Sequence, residues 1–102
     1  MLWVVHCLDG PDAARLRPAA RAEHSARLRS GLVDPVLYGM LTDDAGEPVG
    51  SLIVLRAPDR GTVRRYVDED PFTVSGVWRH TTVTAFVEST NSPARIEERE
   101  TR

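Results

Sequence analysis

The chain opens on a dense apolar run, Met1 to Leu8, closed by Asp-Gly-Pro-Asp. A short run rich in Val, Leu and Trp that stops at turn residues predicts a strand. Residues 13–30 are helical by composition. Leu16, Ala20, His24 and Leu28 follow one another at four-residue spacing and form one stripe of a helix. Pro18 interrupts this segment, and proline is at ease only in a first turn, so the regular helix is expected to begin there, with the preceding residues as a separate turn or loop. Gly31 closes it. Residues 35–42 read as a strand, 43–48 as a turn and 49–56 as the returning strand, a hairpin. Asp59 is placed to cap a second, shorter helix with Val63, Tyr66 and Val67 on one side. Residues 71–76 predict a turn or short helical piece. Residues 77–87, rich in β-branched and aromatic side chains, predict the last strand.

The order β-α-β-β-α-β is the signature of an α+β, ferredoxin-like sandwich, with a four-stranded antiparallel sheet and both helices on one face. Strand alternation carries a second message. Leu2, Val4 and Leu8 point opposite to Trp3, Val5 and Cys7. Val36, Tyr38 and Met40 oppose Leu37 and Leu41, and Ile53 and Leu55 oppose Leu52 and Val54. An antiparallel sheet with one solvated face should alternate apolar and polar residues. Two helices cover one face only, so a second copy packed sheet to sheet is the expected cover, a homodimer with an interface of ordinary scale.

Composition narrows the function. A chain of 102 residues, 41% apolar, makes one domain with a modest core. A net charge of −2 and a pI near 5.9 carry no electrostatic footprint for nucleic acid. All thirteen basic residues are Arg, so any anion site would use forked guanidinium groups. Cys7 is alone and sits in an apolar run, which suits a small core residue. The opening has no basic stretch, and its apolar run is too short for a signal or membrane segment, so a soluble cytoplasmic protein is expected. Beyond Glu88 the only large apolar residue is Ile96, and residues 88–102 are expected to form a mobile tail or frayed helix.

His24 is the polar member of the first helix's apolar stripe, so it must find a partner or face a cavity. Taken locally, it reads first as a structural histidine, hydrogen-bonded or at the edge of the stripe. Its acidic candidates are Asp9, at the end of the first strand, and Asp70, which precedes Pro71 at the end of the second helix. Asp before Pro-Phe is also an ordinary turn former. Arg17 and Arg21 lie on or beside the His24 side, where arginines commonly make a solvated helix edge. Ser51 can donate a hydrogen bond into a cavity or simply serve the strand. His6, His24 and His80 are spread over three elements with no second cysteine, so no metal site is expected.

The pieces MLWVVHCLDGPDA, RPAARAEH followed by ARL, YGML, DDAGEPVGS and DEDPFTVSGVWRHTTVTAF, in this order and spacing, resemble the YCII-like family of small ferredoxin-like proteins of the dimeric α+β barrel type. The resemblance spans residues 1–87. It implies that the family's paired His and Asp fall on His24 and Asp70, that its arginines fall on Arg21 and Arg17, and that Asp9 occupies a commonly acidic position. Glu23 beside the histidine and the longer polar tail depart from the pattern. The implied function is that of a cofactor-free enzyme. His24 would be the general acid/base and Asp70 its orienting group, while Arg21 and Arg17, with Asp9 and Ser51, bind a small anionic, enolic or phenolic metabolite in an isomerase- or lyase-type reaction. The alternative is a non-catalytic small-ligand or accessory module of the same fold.

Overall fold

The computed structural model describes residues 1–96. Seven elements follow one another: β1 (Leu2–Asp9), α1 (Ala13–Leu28), β2 (Asp34–Thr42), β3 (Pro48–Arg56), α2 (Arg60–Asp68), α3 (Pro71–Val74) and β4 (Trp78–Phe86). The four strands form one antiparallel sheet in the order β2-β3-β1-β4, the ferredoxin-like α+β arrangement expected from the sequence, with the short α3 inserted before the last strand.

The register explains which side chains reach the core. Trp3, Val5 and Cys7 stand beside Leu55, Ile53 and Ser51 of β3, and Val5 stands beside Val83 of β4. These residues share a face of the sheet with Val63, Tyr66 and Val67 of α2 and with Ala13, Ala20 and Leu28 of α1 in one buried cluster. Asp59 caps α2 as its position predicts, its carboxylate accepting the Thr62 amide at 2.8 Å. Gly50 lies where β3 passes closest to β1. A Cβ there would sit 2.2 Å from the Cys7 carbonyl oxygen, so this position tolerates only glycine.

Helix α1 departs from the expected break. It runs through Pro18 without interruption from Ala13 to Leu28. Its buried residues are Ala13, Arg17, Ala20, His24 and Leu28, a stripe that begins before the proline. Packing of that stripe outweighs the one hydrogen bond that Pro18 cannot donate. Pro18 and Ala14, whose carbonyl loses that donor, both lie on the exposed side, where solvent takes the place of the missing partner.

The opposite face of the sheet carries Leu2, Val4, His6 and Leu8 of β1, Leu52 and Val54 of β3, Leu37 and Leu41 of β2, and Phe86 of β4. No helix covers it. Leu2 and Val54 are buried by their neighbours, whereas Leu8, Leu37 and Phe86 remain exposed. Edge strand β2 adds a feature that the alternation did not reveal. Tyr38 and Met40 point to the helix side yet stay half exposed, because the helices do not reach that edge. Residues 88–96 turn back beside the start of β1, where the Ile96 carbonyl accepts a hydrogen bond from Arg56 and the Ile96 amide donates to Glu88. The part of the expected tail from 97 to 102 lies outside the described residues. Among the described residues no helix is long and apolar enough to cross a membrane.

Candidate functional site

Helix α1 presents Arg17, Arg21, His24 and Arg27 within three turns, and Asp70 stands just before α3 as its cap. Asp70 is extended (φ −67°, ψ 138°) because proline follows it, and Pro71 opens α3 at a position where its missing N–H is no loss. The Asp70 side chain caps this short helix and is fully buried. Its oxygen Oδ1 accepts the Phe72 amide at 2.9 Å and stands 2.8 Å from His24 Nδ1. Its other oxygen, Oδ2, accepts from Arg27 Nη1 at 3.1 Å. An ionised carboxylate can only accept, so Nδ1 of His24 carries a proton. That leaves Nε2, which has no hydrogen-bond partner among the described residues, as the nitrogen available for other chemistry.

Packing fixes the imidazole plane. The ring stacks on Phe72 with centroids 4.0 Å apart and planes 12° from parallel, and it meets Trp78 edge-on at 5.3 Å. Trp78 in turn donates from Nε1 to Ser51 Oγ at 3.2 Å, which leaves the serine hydroxyl proton free to donate elsewhere. One wall of His24 lines a cavity of about 230 Å³ between α1 and the β2–β3 edge. Arg17, Arg21, Ser51, Tyr38, Met40 and Phe72 complete most of its lining.

The sequence-expected residues are thus gathered unequally. His24, Arg17, Arg21 and Ser51 share the cavity, and Asp70 stands behind the histidine. Asp9 does not line it. Asp9 instead forms a buried ion pair with Arg17, whose guanidinium carbon lies 5.1 Å from the Phe72 ring centroid. Arg17 is therefore a neutralised wall rather than an open anion receptor. Arg21 is exposed and makes no ion pair among the described residues, so it is the cation free to meet a ligand. Arg27, Tyr38, Met40, Phe72 and Trp78 were not singled out by sequence reasoning. Phe72 carried a signal, its place directly after Asp-Pro. Arg27 stands three residues beyond His24, so helical spacing could have marked it as a neighbour.

Burial pushes the Cys7 thiol up to about 12, and the Asp70 charge adds to the shift, so Cys7 remains a thiol at neutral pH. Tyr66 is likewise pushed up to about 12 by burial and then by Asp70. Neither is an available nucleophile. Among the described residues no three His, Cys, Asp or Glu side chains gather where they could hold a metal ion.

Two solved structures place this architecture among known proteins. One is 5-chloro-2-hydroxyhydroquinone dehydrochlorinase (TftG) from Burkholderia phenoliruptrix AC1100 in complex with 2,5-dihydroxybenzoquinone. It has a TM-score of 0.76 and 24% identity over 87% of this chain and 96% of that one. The other is an antibiotic biosynthesis monooxygenase, with a TM-score of 0.53 and 19% identity over 87% of this chain and 99% of that one. At these identities the likeness shows the fold. No curated protein matches the chain. The family model for the YCII-related domain matches residues 1–87, and the chain belongs to that family.

Proposed function

We propose that the protein is a small cofactor-free enzyme of isomerase or lyase type, in which His24 moves a proton and Asp70 orients it. The observation that carries this reading is the 2.8 Å contact between His24 Nδ1 and Asp70 Oδ1 at the wall of a cavity. A carboxylate on one imidazole nitrogen holds the tautomer in which the other carries a lone pair, the form a general base requires. Nε2 takes a proton from a hydroxyl, or from a carbon beside a carbonyl. It returns that proton to another atom of the substrate in an isomerisation, or gives it up with a departing group in an elimination. Arg21 meets the negative charge that develops on the substrate oxygen, and the Ser51 hydroxyl donates to it. Phe72, Met40 and Tyr38 offer apolar surface to a flat ring. An enolic or phenolic metabolite fits this chemistry, and the quinone-type ligand of the structurally similar dehydrochlorinase points the same way.

The test is a thermal-shift screen of phenols, hydroxyquinones and enolisable keto acids against the wild-type protein, followed by proton-exchange or turnover assays on the hits. A ligand present at 100 times its dissociation constant stabilises the native state by about 2.7 kcal/mol. A ligand that binds in the cavity but is neither exchanged nor converted would support the alternative, a binding module, and would overturn the enzyme reading.

The same reading includes a homodimer through the uncovered sheet face and residues 1–87 as the functional domain. An apolar face bearing exposed Leu8, Leu37 and Phe86 is unlike the surface of a stable monomer. Sedimentation at micromolar concentration should report about twice the 11.3 kDa chain mass. Leu37→Glu should return the mass to that of one chain without loss of fold. A wild-type protein sedimenting at the mass of one chain would rule out the dimer.

A further inference from the structure

The dyad has a third member. Arg27 Nη1 donates to Asp70 Oδ2 at 3.1 Å and to the Tyr66 carbonyl at 3.0 Å, and its guanidinium carbon lies 4.4 Å from the Tyr66 ring centroid. Three contacts thus hold this guanidinium, and its side chain is only 15% exposed. Among the described residues it is the one arginine in contact with the buried carboxylate.

A buried cluster settles near zero net charge, because an unbalanced charge in a low-dielectric interior is costly. The charged and titratable groups around the dyad can be counted by element. From α1 come Arg17, Arg21 and Arg27; from β1, Cys7 and Asp9; from β2, Tyr38; from α2 and the residue after it, Arg64, Arg65, Tyr66 and Glu69. Arg17 and Asp9 cancel each other, Arg64 pairs with Asp68, Cys7 and Tyr66 stay neutral, Tyr38 is a half-exposed phenol, and Arg21, Arg65 and Glu69 are solvated. Arg27 and Asp70 remain, and they balance. With Asp70 already balanced, His24 has no charge to neutralise and keeps its imidazole neutral. Without Arg27 the buried carboxylate draws a second proton onto its only other side-chain partner. His24 then becomes an imidazolium, whose Nε2 cannot accept a proton.

We propose that Arg27 is a positioning residue that balances the Asp70 charge and so keeps His24 in its neutral, proton-accepting form. This rests on the His24–Asp70 reading above. It adds the group that determines in which direction the dyad works at neutral pH.

Nitrogen-15 spectra of the histidine ring at pH 7 separate the Nδ1–H tautomer from the imidazolium and require no substrate. The wild-type protein should show a neutral His24 protonated on Nδ1. Arg27→Met should shift the population towards imidazolium by about tenfold or more, the size expected for removing one charge from a partly buried neighbour. Arg27→Lys, which keeps the charge but not the fork, should restore most of the neutral form. If Arg27→Met does not fold, Arg27→Gln, which retains donors for the Tyr66 carbonyl, carries the same expectation. A wild-type spectrum already dominated by imidazolium, or a folded neutral variant with unchanged His24 signals, would overturn the proposal. A folded neutral variant with unchanged His24 signals leaves catalysis by the dyad standing, whereas a ligand that binds but is neither exchanged nor converted removes the enzyme reading and leaves the spectra meaningful.

Discussion

A His24→Gln protein should fold normally and lose about 10²- to 10⁴-fold in turnover, the usual contribution of a positioned general acid or base. Glutamine is polar, can still donate a hydrogen bond to Asp70, and has no lone pair of comparable basicity. It therefore separates proton transfer from structure better than alanine does. Alanine would also remove the ring that stacks on Phe72 and abuts Trp78, leaving a void in a buried aromatic cluster. The measurement is steady-state kinetics on a substrate found by the ligand screen, paired with urea unfolding of both proteins. Ligand affinity should change little, because Arg21, Ser51 and the apolar walls are untouched. A His24→Gln protein with wild-type turnover would show that the proton moves elsewhere, and the dyad would then be a structural pair.

Asp70→Ala should be the most destabilising single change in the site, by about 3–5 kcal/mol. Three interactions end together. The Arg27 guanidinium loses its buried counter-charge, the Phe72 amide loses its acceptor at the start of α3, and His24 Nδ1 loses its partner. Loss of the cap alone is worth about 1 kcal/mol. Asp70→Asn should behave differently. Asparagine is as good a cap as aspartate, so the Phe72 contact survives. It carries no charge for Arg27, and its amide does not select the Nδ1–H tautomer, so turnover falls more than stability does. Urea denaturation curves of the three proteins check the order wild type, Asn, Ala. If Asp70→Ala shifted the unfolding free energy by less than about 1 kcal/mol, the carboxylate would not be the buried anchor that its full burial implies.

Element identity was legible in the sequence because it depends on local pattern. Runs of apolar, β-branched and aromatic residues between turn formers marked the four strands, Asp59 marked the start of α2, and the proline after Asp70 marked the end of that helix. The apolar residues on both sheet faces were legible for the same reason, since alternation is a property of neighbours in sequence. His24 stood out as the polar member of an apolar stripe, and family resemblance rather than spacing singled out Asp70 as its partner.

Tertiary structure decided matters in which residues far apart in the chain compete for the same space or charge. Local preference predicted a break at Pro18, but burial of Ala13 and Arg17 against the sheet carried the helix through it. Arg17 and Arg21 look alike in sequence. Only the fold brings Asp9 to Arg17 and leaves Arg21 in solvent, so that one arginine is neutralised and the other free. Arg27 meets Asp70 across 43 residues of sequence, and no local pattern encodes that meeting. Alternation put Tyr38 and Met40 on one apolar face of the sheet, yet the helices stop short of that edge, and the gap left there is the cavity. Short-range periodicity determines which face a residue takes. Whether that face meets a helix, a counter-charge or an opening depends on packing between elements, which a single sequence does not spell out.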